Sequence, residues 1–310
     1  VEERSESAGA APVRLWRGIR EGRRGEGRPE EIAARVRHLF SPGAGTLADE
    51  EELEARVAET VRELLRDEST SSAARLDAMA PAFGDTRLPD FPRDADDYLD
   101  YLDAEVVPHI MRVWSPRFVG HMTSALPFFV RPLMRLMTAM NQNVVKTETS
   151  RVLTFYERQA LARLHRLIFG FPQSFYDRHV QETASTLGIV TSGGTLANVT
   201  ALACARNRAL GPDGAFRGVE LAGLPAALAH HGHRGAAVIG SAQMHYSFEK
   251  GMGLLGFGTD DLVRVPTDGR GSVDLAAMRE AAARCRDRGI RVLALVGVAG
   301  STDSGSVDDL

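Results

Sequence analysis

Leu187-Gly-Ile-Val-Thr-Ser192-Gly193-Gly194-Thr195-Leu-Ala-Asn198-Val-Thr-Ala-Leu-Ala-Cys204-Ala-Arg-Asn-Arg-Ala-Leu210 is the stretch whose reading decides the fold. A short β-rich apolar run from Leu187 to Thr191 meets a Ser-Gly-Gly-Thr turn, and an alanine-rich helix opens directly behind it. Glycines without a Cβ let backbone N–H groups come close to a ligand. The unpaired amides and the positive end of the helix dipole favour an anion, most often a phosphate. Ser192 and Thr195 add hydroxyl donors, and Thr195 is expected to be the helix N-cap. The same residues also fit an ordinary capped strand-to-helix turn that holds nothing.

Downstream of this unit, strand and helix patterns alternate: a strand over Ala236–Gly240, a helix over Ser247–Leu255, a strand over Leu262–Val265, a helix over Asp274–Arg288 and a strand over Val292–Val298. Such alternation predicts an α/β fold, a mostly parallel sheet with helices on its faces. His245 follows the strand ending at Gly240. The hydroxyl-rich run Gly300-Ser-Thr302-Asp-Ser-Gly-Ser-Val-Asp308 follows the strand ending at Val298. With Ser192 to Thr195 these place an anion cradle, an imidazole and a hydroxyl turn at the carboxyl ends of three strands, where ligands bind in open α/β sheets. A flat phosphorylated cofactor suits such a rim.

Upstream the character changes. Residues 1–30 are rich in Arg, Glu and Gly and read as a disordered tail. Residues 31–115 read as an N-terminal helical segment, with amphipathic helices over Glu30–Phe40, Leu47–Arg66 and Asp94–Trp114, the last bent by Pro108. The α/β part is assigned to 116–310. It opens with an ordered loop between Pro116 and Pro127 that carries His121 and Met122. A helix from Phe128 to Met140 then leads into the polar cluster Asn141-Gln142-Asn143-Val-Val-Lys146, which either lines a pocket or caps the helix. A further helix over Thr154–Phe169 is expected to face Leu161, Leu164, Leu167 and Ile168 inward.

Composition narrows the class. With 44% hydrophobic and 25% charged residues the chain is that of a globular protein. A net charge of -4 argues against a nucleic-acid partner. No run approaches the roughly 20 apolar residues of a membrane span, and no signal-peptide core begins the chain, so a cytoplasmic location is expected. Cys204 and Cys285 lack metal or redox spacing and read as buried free thiols. Gly251-Met-Gly253-Leu-Leu-Gly256 matches the dinucleotide fingerprint in letters only, because these glycines close a helix instead of opening one after a strand. His230, His231 and His233 have no further ligand cluster beside them and read as surface histidines. Ser192 lacks the preceding glycine of a hydrolase elbow.

Four stretches together resemble the group II pyridoxal-phosphate-dependent amino-acid decarboxylases: Phe118-Val-Gly-His-Met-Thr-Ser-Ala-Leu-Pro127, Asn141-Gln-Asn-Val-Val-Lys-Thr-Glu-Thr-Ser150, Ser192-Gly-Gly-Thr-Leu-Ala-Asn198 and Val296-Gly-Val-Ala-Gly-Ser-Thr302. The resemblance runs from about Leu99 to the last residue. The first two stretches point to its aspartate branch. It implies a fold-type I large domain and the cofactor pyridoxal 5'-phosphate. Gly193, Gly194 and Thr195 would hold the phosphate, and His245 would stack on the pyridine ring. Thr302 would sit near the phenolic oxygen and the substrate carboxylate. His121, Met122, Gln142 and Asn143 would shape a pocket for a small acidic amino acid, completed across a homodimer interface. The implied reaction takes L-aspartate to β-alanine and carbon dioxide, with glutamate or another amino acid of the same family as the alternative.

The family places an acid for the pyridine nitrogen in an Asp-Ala-Ala segment, and the lysine that joins the cofactor in a His-Lys pair, both downstream of the Gly-Ser-Thr turn. Neither precedes Leu310, and the two lysines, Lys146 and Lys250, do not match that position. The expectation is that these residues form part of a longer product and are inactive alone. A non-catalytic remnant that binds the cofactor phosphate weakly is the alternative of a different class.

Overall fold

The computed structural model describes residues 29–40, 43–86, 95–120 and 123–309. They form two compact units, one up to Asn141 and one from Gln142 onward. The tail expected over 1–30 lies almost wholly outside the described residues.

The first unit is helical. α1 (Pro29–Phe40) and α2 (Ala44–Arg66) are followed by the short α3 (Leu76–Met79), α4 (Ala95–Tyr101) and α5 (Val130–Met140). The long helix expected over 94–114 is instead broken. α4 gives way to a π turn over Leu102–Val106 and a 3-10 turn over Val107–His109, and the chain is extended by Ile110. Pro108 has no N–H to donate and its ring clashes with the preceding turn, so it ends the helix where a bend was expected. Arg56 of α2 reaches Asp96 at 2.5 Å and Asp100 at 2.6 Å, tying α2 to α4. These two carboxylates hold the guanidinium above its usual pKa. α5 ends at Asn141, whose left-handed backbone (φ 41°) donates its N–H to the Met137 carbonyl, so this member of the polar cluster caps the helix.

The second unit begins with α6 (Thr147–Ser150), α7 (Val152–Phe169) and α8 (Gln173–His179). Of the α7 face expected to turn inward, Leu161 is half-buried and Ala162 is buried, whereas Leu164, Leu167 and Ile168 are exposed. Among the described residues no element covers that stripe. α9 (Gly194–Ala209), α10 (Val219–Ala222) and α11 (Leu224–His230) lead into β1 (Gly235–Ser241). α12 (Ser247–Leu254), β2 (Leu262–Val265), α13 (Leu275–Asp287) and β3 (Ile290–Val296) complete the unit.

The three strands are parallel in the order β2-β1-β3. Central β1 is buried on both faces, as a parallel strand with helices on either side must be. Ala236 and Val238 pack with Leu202 of α9 and Met252 of α12, while Ala237 and Ile239 pack with Met278, Ala281 and Cys285 of α13. The expected strands and helices after residue 230 are thus all present, within two residues at each end. The run Leu187–Thr191 is not a strand: it pairs with no described strand, and Ile189 and Val190 are exposed. β propensity creates a strand only where a neighbour completes the ladder. Cys285 is buried as expected, but Cys204 is exposed. No described helix is long and apolar enough to cross a membrane.

Candidate functional site

The chain turns into α9 through Gly193, which is the N-cap. Its extended backbone (φ 161°, ψ 168°) aims its carbonyl along the helix to accept from the Ala197 N–H at 3.0 Å. The Thr191 hydroxyl donates to the same carbonyl at 3.2 Å. Thr195, expected as the cap, lies inside the first turn, and no side chain caps this helix. A hydroxyl can cap only from the residue with extended backbone that precedes the helix, and that place is taken by a glycine. The N–H groups of Gly194, Thr195 and Leu196 therefore have no acceptor within the helix.

These amides border a cavity of about 370 Å³ lined by Ser192, Gly193, Gly194, Thr195, Leu196, Val199 and Leu254. A Cβ on Gly193 or Gly194 would meet no atom within 4 Å, so it would stand in this open space. Unpaired amides, a helix amino end and room next to two bare glycines are what a phosphate group needs.

His245 lies on the turn after β1. Met244 is buried against Gly240, where a Cβ would collide with the thioether. The half-buried His245 Nδ1 accepts from the Ser247 backbone N–H at 3.2 Å and lies 2.9 Å from the Ser247 hydroxyl oxygen. Asn198 of α9 donates its Nδ2–H to that oxygen at 2.8 Å. The His245 and Tyr246 rings are 4.1 Å apart, and the Lys250 Nζ sits 4.6 Å from the centre of the Tyr246 ring.

The third segment follows β3. Asp308 is 5% exposed, and its two carboxylate oxygens accept from the Val273 N–H at 2.7 Å and the Val298 N–H at 2.8 Å. Ser301, Ser304 and Ser306 bond one another within the turn, and Ser304 and Ser306 donate to the Gln243 side-chain oxygen at 2.8 and 3.2 Å. Thr302 is exposed on this turn.

The three segments are joined by hydrogen bonds. Asn198 to Ser247 links the cradle helix to the His245 turn, and Gln243 links that turn to the Thr302 turn. Neither His245 nor Thr302 lines the cavity at the cradle. His121 and Met122 lie outside the described residues. Gln142 and Asn143 are exposed, and the Asn143 side-chain oxygen accepts from the Val145 N–H at 2.8 Å. Lys146 and Lys250 are exposed and do not line the cavity. Gly251 and Gly253 fall inside α12, as the reading against a dinucleotide fingerprint required. In the histidine run, His230 Nε2 lies 3.1 Å from an Asp213 oxygen, and its ring stacks on Phe216 at 4.3 Å.

Three groups were missed in the sequence: Asn198, Ser247 and Asp308 in their bonding roles. Asn198 stands one helical turn beyond Gly194, so its facing was available from the helix period. The Asp308 clamp depends on a contact across 35 residues and left no local signal.

Residues 80–310 match the family described as "Pyridoxal-dependent decarboxylase conserved domain". The chain belongs to this family. Pyridoxal phosphate is the cofactor that membership brings, and the amides and open space at 193–196 fit its phosphate. A curated relative, "Aspartate 1-decarboxylase" of Aliivibrio fischeri, is 40% identical over 258 residues, which is 83% of this chain and 47% of that protein. The chain therefore spans about half the length of such a relative. Among solved structures, the glutamate decarboxylase domain of diaminobutyrate-pyruvate transaminase and L-2,4-diaminobutyrate decarboxylase from Vibrio parahaemolyticus superimposes with a TM-score of 0.74 at 20% identity. The match covers 91% of this chain and 57% of that one. Oryza sativa TDC with PLP and tryptamine gives a TM-score of 0.69 at 21% identity over 86% of this chain and 51% of that one. These likenesses establish the fold as that of the fold-type I large domain.

Proposed function

We propose that the full-length protein is a carboxy-lyase that removes the α-carboxylate of a small acidic amino acid, converting L-aspartate to β-alanine and carbon dioxide. The observation that carries this reading is the cavity at the amino end of α9, with three amides unpaired among the described residues, in a chain that belongs to the family. When bound, pyridoxal phosphate supplies the electron sink for the carbanion left by carbon dioxide. The chain's own residues bind and orient. The N–H groups of Gly194, Thr195 and Leu196 would hold the phosphate, with Gly193 leaving it room. His245 would stack on the pyridine ring, and Thr302 would serve the phenolic oxygen and the substrate carboxylate. The family resemblance gives His121, Met122, Gln142 and Asn143 to the substrate pocket.

The preference for aspartate rests on the relative at 40% identity. The second reading is glutamate or another amino acid of the family, such as 2,4-diaminobutyrate, the substrate named for a Rhizobium meliloti relative at 29% identity. We place the protein in the cytoplasm as a homodimer, with an N-terminal helical segment over 31–115 and the cofactor domain from 116. Carbon dioxide release from aspartate, glutamate and 2,4-diaminobutyrate, measured on the full-length protein with added pyridoxal phosphate, tests the proposal. Aspartate is expected to react fastest, and no release from any of the three would overturn the reading.

A further inference from the structure

Ser247 is fully buried, and its hydroxyl stands between an amide on one helix and an imidazole on a strand-end turn. Donor chemistry orders this arrangement. The Asn198 Nδ2 has hydrogens and no acceptor lone pair, so the Ser247 oxygen accepts from it. The Ser247 hydroxyl then has its single hydrogen free to donate onward to His245 Nδ1 at 2.9 Å. The Ser247 backbone N–H, which can only donate, meets the same nitrogen at 3.2 Å. A ring nitrogen facing two donors holds a lone pair and no proton. The backbone contact favours this state whichever way the Asn198 amide is turned, and the shorter hydroxyl contact adds the second donor.

We infer that Asn198 and Ser247 are positioning residues through which the cradle helix α9 holds His245 with Nδ1 as acceptor and its proton on Nε2. This rests on the role given to His245 in the proposed function. The relay presents the ring to the site with one defined donor, the Nε2–H, suited to a negatively charged oxygen of the bound molecules. It also ties the imidazole to the element that binds the phosphate, because Asn198 follows the last free amide, that of Leu196, by two residues.

The test uses the full-length protein with 15N-labelled histidine, first without cofactor. Correlation spectra report which ring nitrogen of His245 carries the proton, with His245→Ala supplying the assignment. The wild type is expected to show Nε2–H alone. Ser247→Ala and Asn198→Ala keep the backbone donor but lose the hydroxyl or its orientation, and are expected to let a measurable minority of the Nδ1–H tautomer appear. In the loaded enzyme they should lower kcat about tenfold, the worth of one hydrogen bond, with KM little changed. Asn198→Ala changes a half-buried residue and decides the matter should Ser247→Ala lose the fold. A proton on Nδ1 in the wild type, or a tautomer unmoved in both variants, overturns the inference. A wild type that releases no carbon dioxide overturns the proposed function instead, and the spectra still decide the relay.

Discussion

Replacing Asp308 by Ala removes the acceptor of two backbone N–H groups, a buried one on Val273 and a half-buried one on Val298. The carboxylate is 5% exposed and bonds Val273 N at 2.7 Å and Val298 N at 2.8 Å. A buried donor left without a partner costs about 1–3 kcal/mol and the half-buried one less, so the pair costs about 2–4 kcal/mol. At about 2–4 °C per kcal/mol for a unit of this size, the midpoint of thermal unfolding should fall by roughly 10 °C. Asp308→Asn keeps one carbonyl oxygen and turns an NH2 group towards the other N–H, so it should lose about half as much. Urea unfolding followed by circular dichroism separates the three proteins. A loss under about 1 kcal/mol for Asp308→Ala, within the range of an ordinary surface change, would refute the clamp. The clamp joins Val273, two residues ahead of α13, to the chain leaving β3, so the variant should also loosen the turn that carries Thr302.

Other outcomes follow from single sites. Gly194→Leu should leave stability nearly unchanged, since a Cβ there meets nothing within 4 Å, yet weaken pyridoxal phosphate binding at least about tenfold by filling the cradle; equilibrium dialysis of the cofactor checks this. His245→Ala should lower decarboxylation on the order of 10²-fold, and unchanged turnover would remove His245 from the proposed site. Burial, with the nearby charge of Arg291 and of His231, holds the His233 imidazole below its usual pKa of 6.5. The unfolded chain therefore takes up this proton first, so its contribution to stability is complete above pH 6.5 and declines as pH falls below it towards the lowered value. His233→Gln should remove that part of the decline, as read from urea midpoints between neutral and mildly acidic pH.

The sheet was legible because each of its parts carries a local signal. The alternating blocks after residue 230 have the lengths of strands and helices, and Asp274 marks the start of α13 as a true cap, accepting from the Ala277 N–H at 3.0 Å. The glycine pair before α9 announced the anion cradle for the same reason, in that both the bare backbone and the helix start are written in adjacent residues. What failed depends on neighbours distant in the chain. Leu187 to Thr191 has strand composition without a described strand to pair with, and the apolar face of α7 has no described element above it. The serine and asparagine that orient His245 looked like filler, because a hydroxyl on one helix and an amide on another acquire a role only once packing brings them together. Thr302 and His245 were placed on the correct turns, and the cavity at the cradle does not reach either among the described residues.

Gly240 does not line the cavity at the cradle, yet it helps set where His245 stands. The strand backbone there is bare, and the Met244 thioether occupies the position that any larger residue would claim. Even an alanine would push the methionine outward, and the imidazole on the next residue would travel with it. Oxidation of that sulfur would exert the same leverage from the opposite side. The alignment of the site is thus vulnerable at a hidden wedge below the floor, beyond the reach of any scan confined to residues that face the substrate.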